Sequence, residues 1–366
     1  MTARGLLALA TLSCVAVWAL PAQDASQTAV LRGAVTNATG QPLAYAIVSI
    51  PALGLQQFSN NEGKFFFVRL TPGKYVVSVR QLGYAPQFKD IVLAPGANET
   101  IDVRMERIVT KLATMSVTGQ WACNKPGRPM ADSLRPLIEV FEQLEQNALR
   151  LKLLSEEYPF DFLAERKVVM LRADGSEFVD RFDTLRTLGS TSARYKPGSV
   201  VQRIRNPRIA RAEYFLQVPT LLDFADPLFQ NNHCFLLRGV ATNGAKSEIR
   251  VDFLPSSKIN SPDVGGSVFL EAGSFRLLRA EIYLTKIPAS MEGLQGVRAT
   301  TQFEDIVKGL PTIAEIIGRS DFTAVRGTLP YQHSIEHQKT LQVRFLKAKP
   351  AELPPHEHSA TSNKPN

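Results

Sequence analysis

The sequence predicts a mainly β protein with two domains, a β-sandwich followed by an α+β domain. Short β-type runs such as "KYVVSVR" are separated by turn residues throughout the first hundred residues, and similar runs dominate after residue 160. Only the stretch between them has a strong helical period. With 366 residues, the chain has room for two or three domains. The expected boundaries are a leader at 1–25, a sandwich at 28–107, a linker at 108–128, an α+β domain at 129–347 and a disordered tail at 348–366.

The first residues have the three-part plan of a secretory signal peptide. Arg4 precedes an apolar run from Gly5 to Leu20, and small or polar residues follow it. This run is shorter than the ~20 residues that a membrane-spanning helix needs. We therefore expect cleavage after Ala22 or Ala25, export across the inner membrane, and a protein that is periplasmic or associated with the outer membrane.

The formal charge of the chain is +8, which suits anionic partners such as acidic glycans or lipid headgroups. Export argues against nucleic acid as that partner. Between Asp183 and Glu213 there is no acidic residue. This basic stretch is either an anion-binding surface or a solvated set of charged edge strands. The candidate anion-binding residues are Arg194, Lys196, Arg203, Arg205, Arg208 and Arg211.

Removal of the leader leaves two cysteines, Cys123 and Cys234. In an exported chain, two thiols are most simply explained by a disulfide. The alternative is a pair of buried thiols without a bond. A bond would join the entry of the second domain to its sheet and close a loop of about a hundred residues.

The turns of the first domain are informative. Pro72-Gly73 fits the centre of a type II turn, and Gly63 suits the left-handed residue of a hairpin. The segments "GAVTNATGQPLAYAIVSI", "NNEGKFFFVRLTPGKYVVSVRQLGY" and "IVLAPGANETIDVRM" resemble the carboxypeptidase regulatory-like domain. That resemblance implies a transthyretin-like fold, which is a seven-stranded Greek-key sandwich without catalytic residues.

The same module precedes the plug of many TonB-dependent outer-membrane receptors, and "KLATMSVTG" resembles the strand that leads into such a plug. The residues that follow Gly119 are too few for a receptor barrel, so we do not expect a complete receptor. This class of sandwich also includes carbohydrate-binding modules. Phe58, Phe66 and Tyr84 are candidate sugar-stacking residues if they are exposed, although each also fits the core.

The second domain begins with a helical pattern in "SLRPLIEVFEQLEQNALRLKLL". Asp132 or Ser133 can cap this helix, and Pro136 is tolerated in its first turn. One apolar stripe is expected to pack on a sheet, formed by Leu137, Phe141, Leu144, Ala148 and Leu151. Off the stripe lie Glu139, Glu142, Glu145 and Gln146.

Alternating runs after the helix, among them "GSVFLEAGSFRLLRAEIYL", predict a large, curved antiparallel sheet. This half is similar to the poorly characterised carboxyl-terminal part of bacterial envelope proteins with the same first module. Its strand pairs also resemble the half-barrel of periplasmic lipoprotein carriers. His233, next to Cys234, is expected to form hydrogen bonds in a partly buried position rather than bind a metal.

The motif "HSIEH" at 333–337 matches H-x-x-E-H, the spacing of inverted zinc peptidases. Both histidines reach one zinc ion only if the stretch is helical. The neighbouring residues instead alternate with period two, which predicts a strand with its histidines about 13 Å apart at ~3.3 Å per residue. We therefore expect no zinc site here.

The sequence as a whole predicts an exported, non-enzymatic binding or scaffolding protein of the bacterial cell envelope. No cofactor or metal is expected. The expected partner is an outer-membrane or cell-surface component, an anionic glycan or a lipid headgroup. The alternatives are a carbohydrate-binding protein, then a lipid carrier of the half-barrel type, and lastly a zinc peptidase.

Overall fold

The structure is a computed structural model that describes residues 28–108, 122–130, 134–189, 195–205, 212–243, 246–288, 290–291, 293–307, 310–323 and 331–347. The expected leader, most of the expected linker and the expected tail lie outside these residues. Strands dominate the described part, and one long helix joins its two β units. The expected mainly β fold class is confirmed.

The amino-terminal unit is a sandwich of seven strands. These are β1 (Ala29–Asn37), β2 (Ile47–Ile50), β3 (Leu55–Phe58), β4 (Lys64–Leu70), β5 (Gly73–Arg80), β6 (Gln87–Leu93) and β7 (Asn98–Met105). One sheet has the order β4-β1-β7 and the other β3-β2-β5-β6. The β1–β7 pair is parallel, and the other pairs are antiparallel. Alternate residues such as Leu31, Val35, Val77 and Val79 fill the space between the sheets.

Helix α1 (Arg135–Glu157) is followed by strands, a short second helix and more strands. The strands before the second helix are β8 (Phe160–Leu171), β9 (Glu177–Leu188), β10 (Val201–Arg205) and β11 (Ala212–Leu216), and the second helix is α2 (Pro227–Gln230). The remaining strands are β12 (His233–Asn243), β13 (Lys246–Pro255), β14 (Val264–Glu271), β15 (Leu277–Leu284), β16 (Leu294–Val307), β17 (Leu310–Phe322) and β18 (His333–Phe345).

Nine of these strands form one antiparallel sheet in the order β12-β13-β14-β15-β16-β17-β18-β8-β9. Strands β10 and β11 form a separate hairpin-like pair. The predicted apolar stripe of α1 packs on the large sheet, where the Phe141 and Phe235 ring centroids are 4.6 Å apart. The predicted helix-on-sheet packing is therefore confirmed.

A second face of α1 is covered by the sandwich, while Leu149 and Lys152 stay exposed. Leu153 and Leu154 pack with Tyr45, Ile47 and Phe58 in a second apolar cluster. Helix α1 is thus clamped between the two β units. Gln146, which lies off the apolar stripe, is also buried. In the described residues, no helix has the length and apolar character needed to cross a membrane.

Candidate functional site

The outer face of the sheet β3-β2-β5-β6 is only partly covered. Since side chains alternate along a strand, Val76 and Ser78 of β5 share this face with Phe88 and Val92 of β6. The part nearest β3 lies under α1 through Ile47 and Phe58. The remainder stays open beside the helix.

Two adjoining depressions occupy this open part. The first has a volume of about 290 Å³ and lies against the helix at Leu149. The second has a volume of about 450 Å³ and continues along β5 and β6. Pro51 and Val76 line both of them. We call the combined feature the groove, lined by Ile47, Ser49, Pro51, Ala52, Gln56, Lys74, Tyr75, Val76, Ser78, Arg80, Phe88, Asp90, Ile91, Val92 and Leu149.

The groove has an apolar floor and a polar rim. Phe88 is 58% exposed and Val92 is 64% exposed, which is unusual for side chains of this size in a regular sheet. Lys74, Arg80 and Asp90 supply charges of both signs around them. Such a surface can bind an extended, mainly apolar ligand and fix its direction through the rim.

Strand β6 also forms a free edge of its sheet. In the part of the chain that the structure describes, β6 is hydrogen-bonded to β5 and to no other strand of that sheet. A free edge offers unpaired N–H and C=O groups to an added strand. The edge and the groove are adjacent because Phe88 and Val92 belong to β6.

A row of buried polar side chains on α1 makes the wall of the groove rigid. Gln143, Asn147 and Arg150 follow one another at spacings of four and three residues and so lie on one helix face. The Gly83 N–H donates to Gln143 Oε1 over 2.8 Å. Asn147 Nδ2 donates to the Phe275 carbonyl oxygen over 2.9 Å.

Arg150 is the strongest link in this row. Its Nη1 donates to the Tyr45 carbonyl oxygen and to Gln81 Oε1, each over 2.6 Å. Burial lowers the pKa of Arg150 to about 10, so the side chain remains charged at neutral pH. A buried charge with good hydrogen bonds fixes the mutual position of the elements it joins. The sequence analysis missed this row, although the i, i+4, i+7 spacing of Gln, Asn and Arg could have indicated it.

The predicted disulfide is present. Cys123 and Cys234 are bonded, with Cα atoms 5.4 Å apart and a sequence separation of 111. Cys234 lies in the edge strand β12, and Cys123 precedes α1. The bond therefore connects the entry of the helix to the edge of the large sheet.

His233 is fully buried rather than partly buried as expected. Its Nδ1 lies 2.9 Å from the Phe229 carbonyl oxygen and its Nε2 lies 3.1 Å from the Val264 carbonyl oxygen. Burial is the main cause that lowers the pKa of His233. Asp263 lies nearby and accepts a 2.8 Å hydrogen bond from the Tyr195 hydroxyl. His233, Asp263 and Tyr195 are all buried, so this cluster is an interior network.

The basic stretch is only partly described. Arg194, Arg208 and Arg211 lie outside the described residues. Lys196 is exposed, and Arg203 and Arg205 are placed on β10, where they pair in register with Tyr214 and Ala212 of β11. An anion-binding surface at these residues therefore stays a prediction.

The histidines of "HSIEH" lie on strand β18, as their period-two pattern predicts. His333 Nδ1 is 2.8 Å from Asp321 Oδ1, and His337 Nε2 is 2.5 Å from Glu315 Oε1. The two rings thus face separate carboxylates on β17. Among the described residues, no group of three or more His, Cys, Asp or Glu side chains is arranged to hold a metal ion.

The three candidate sugar-stacking residues have different positions. Phe58 and Tyr84 are buried, so neither is available to a ligand. Phe66 is 55% exposed but belongs to β4 in the other sheet. Phe88 is the exposed aromatic residue of the groove, and the sequence analysis missed it. The alternation of "QFKDIVL" could have indicated it, since Phe88 falls on the opposite side from Ile91 and Leu93.

Comparison with known proteins supports the assignment of the first unit. Residues 30–106 match the family model of the carboxypeptidase regulatory-like domain. No curated protein matches the chain.

Solved structures give weaker similarities. A minor pilin of Streptococcus agalactiae aligns with 15% identity over 26% of this chain and 49% of its own, at a TM-score of 0.21. A putative carbohydrate-binding protein of Bacteroides uniformis aligns with 10% identity over 64% of this chain and 93% of its own, at a TM-score of 0.19. The TIE protein of Bacillus anthracis aligns with 9% identity over 85% of this chain and 48% of its own, at a TM-score of 0.22.

The chain thus spans about half the length of the pilin and of the TIE protein. All three TM-scores are low, and no shared fold or function follows from them. The family match and the seven observed strands agree on the first unit. The amino-terminal sandwich of this chain is therefore a carboxypeptidase regulatory-like domain.

Proposed function

We propose that this protein is an exported, non-enzymatic binding protein of the bacterial cell envelope that holds an extended, apolar polypeptide segment in the groove. Export is supported by the disulfide, which belongs to oxidising compartments, and by the leader-like first residues. The match of residues 30–106 to a regulatory-like module supports a binding role, because the resemblance implies an accessory domain without catalytic residues.

The observation on which the proposal rests is the combination of an apolar groove and a free strand edge at β6. An extended peptide that adds to β6 gains main-chain hydrogen bonds, and its alternate side chains reach the floor beside Phe88 and Val92. The clamped helix keeps Leu149 in place as the opposite wall. The ligand therefore meets a preformed surface, which lowers the cost of binding.

The test is a titration of the purified, disulfide-bonded protein with a fluorescent seven-residue peptide of alternating valine and threonine, which matches β6 in length. Fluorescence anisotropy should show saturable binding. Phe88→Asp should weaken binding by about tenfold or more because it places a charge on the apolar floor. Phe66→Asp is the matched control, since Phe66 is similarly exposed but lies in the other sheet.

Equal affinities for the wild-type protein and Phe88→Asp would disprove the peptide proposal, as would the absence of saturable binding. The same result would leave one other candidate, glycan binding. The exposed Phe88 ring beside Lys74 and Asp90 favours it, because sugars stack on aromatic faces within polar rims. A parallel titration with neutral oligosaccharides distinguishes the two classes of ligand.

Two other hypotheses receive less support. A lipid carrier of the half-barrel type needs an apolar cavity between α1 and the large sheet. Phe141 and Leu144 fill that space together with Phe235 and Val268. A zinc peptidase needs His333 and His337 on one ion, whereas they pair with different carboxylates. The filled space under α1 and the separate partners of the two histidines thus favour the proposed binding protein over these two hypotheses.

A further inference from the structure

The large sheet has two very different edges. Strand β12 forms one edge, and its side chains Phe235 and Leu237 are buried in the core under the helices. Strand β9 forms the other edge. In the described part of the chain it is hydrogen-bonded to β8 alone, and none of its twelve residues is buried.

Apolar side chains are nevertheless present along β9. Val179 is 54% exposed and Phe182 is 63% exposed. Leu188, at the end of the strand, is also exposed. A long edge strand with exposed apolar residues is a template for pairing with another chain, and proteins usually protect such an edge or use it as an interface.

A β-bulge in β9 places its apolar residues together. Val168 of β8 is opposite Arg181, and the next residue, Val169, is opposite Val179. Asp180 is therefore an extra residue without its own partner in β8. Because of this extra residue, the side chains of Val179 and Phe182 lie on the same face of the sheet, although they are three positions apart.

We propose that β9 pairs with the β9 strand of a second copy of this chain, antiparallel, about a two-fold axis between Asp180 and Arg181. This register places Val179 opposite the partner subunit's Phe182. It also places Asp180 opposite the partner subunit's Arg181. Both contacts occur twice because the axis repeats them, and the two-fold contact closes as a dimer.

The bulge and the charges favour this register over two alternatives. Residues that are opposite one another across an antiparallel pair lie on the same face, and the bulge makes positions 179 and 182 satisfy this condition. An axis through Asp183 would place that carboxylate opposite its own copy. A parallel arrangement in register would align Asp180 with Asp180. The proposed register instead forms two apolar pairs and two pairs of opposite charge.

One further exposed apolar residue lies on the same face of the sheet, beyond two polar side chains. Ile317 of β17 is exposed and lies in the same cross-sheet row as Phe182, connected through His337 and Lys167. The large sheet would continue from one copy into the other. Strands β9 and β6 belong to different sheets. The inference therefore does not depend on the proposed ligand of the groove.

Sedimentation equilibrium of the purified, disulfide-bonded protein at micromolar concentrations tests the proposal. The wild-type protein should be a dimer in reversible equilibrium with the monomer. Phe182→Lys and Asp180→Arg should each raise the dissociation constant by about tenfold or more. The first variant places a charge in both apolar pairs, and the second places two positive charges opposite one another at both charged pairs. Phe66→Lys, which changes an equally exposed residue of the sandwich, should leave it unchanged.

The charge exchange Asp180→Arg with Arg181→Asp gives the decisive comparison. It restores opposite charges across the proposed axis, so the dissociation constant should return towards the wild-type value. Circular dichroism shows whether each variant keeps its β structure. A wild-type monomer overturns the proposal, and so does a dimer that is unaffected by both single variants or not restored by the exchange. Phe88→Asp should not alter the dimer, which separates this result from the test of the groove.

Discussion

Arg150 Nη1 lies 2.6 Å from the Tyr45 carbonyl oxygen, and this hydrogen bond joins helix α1 to the amino-terminal sandwich. The same nitrogen donates to Gln81 Oε1 over 2.6 Å. Asn147, on the same face of the helix, donates to the Phe275 carbonyl oxygen in the turn between β14 and β15 of the large sheet. One helix face therefore holds both β units, and the stability of the protein depends on it.

Arg150→Met should lower the free energy of unfolding by about 2–4 kcal/mol, because it leaves the buried Tyr45 carbonyl and the partly buried Gln81 Oε1 without this donor. Urea denaturation followed by circular dichroism measures the change. Arg135→Met is the control, since the Arg135 side chain is 83% exposed on the same helix. A similar loss of stability in both variants would contradict the special role of Arg150.

Reduction of the Cys123–Cys234 bond should lower the free energy of unfolding by about 4–5 kcal/mol, the chain-entropy estimate for a loop of this length. The Cys123→Ser/Cys234→Ser double variant should show the same loss without a reductant. Adding reductant to that variant should have no further effect. A wild-type protein whose urea midpoint does not change on complete reduction would refute the prediction.

Glu157 should make the protein less stable as the pH rises. Although the residue as a whole is exposed, partial burial of its carboxyl raises the pKa of Glu157 to about 7, above the unfolded value near 4.5. Its contribution is therefore complete below the unfolded pKa and is lost as the pH rises through the folded pKa. Glu157→Gln should reduce the difference in melting temperature between about pH 5 and about pH 8. Glu139→Gln, on the same helix, should keep the wild-type difference.

His233 should have the opposite effect on the acid side. Burial lowers its pKa, so the folded protein holds the ring neutral at a pH where the unfolded chain would protonate it. The stability associated with His233 is complete above the unfolded pKa, about 6.5, and decreases as the pH falls below it. His233→Gln should reduce this decrease in chemical denaturation between about pH 7 and about pH 5. An unchanged pH profile in the variant would show that other groups cause the loss.

Much of the architecture was predictable because it depends on local patterns. The turns were predicted less well: Gly63 has the expected left-handed backbone, with φ 73°, but the expected hairpin at Gly63 and type II turn at Pro72-Gly73 are wrong, because β4 lies in a different sheet from β3 and β5 and Gly73 has no positive φ. Alternation in β5 did predict the buried face of the sandwich. The apolar stripe of α1 predicted its packing on a sheet, and the period-two pattern at 333–337 predicted a strand. The pairing of Cys123 with Cys234 followed from there being two cysteines after the expected leader.

The groove and the edge strand were not predictable in the same way, because they depend on which surfaces remain uncovered after the units pack. Phe58 and Phe88 lie in similar alternating strands, yet α1 covers one of them and leaves the other exposed. Likewise, the local sequence of β9 does not show that it is an edge strand, because its position follows from the order of nine strands in the sheet.

Short-range spacing and composition were thus enough to predict the long helix, many of the strands, the family of the sandwich and the disulfide. Tertiary structure alone decided that a single helix, through Arg150 and its neighbours, is buried between two β units. The physical reason is that the cost of a buried polar group depends on the partners it meets, and those partners are distant in the chain.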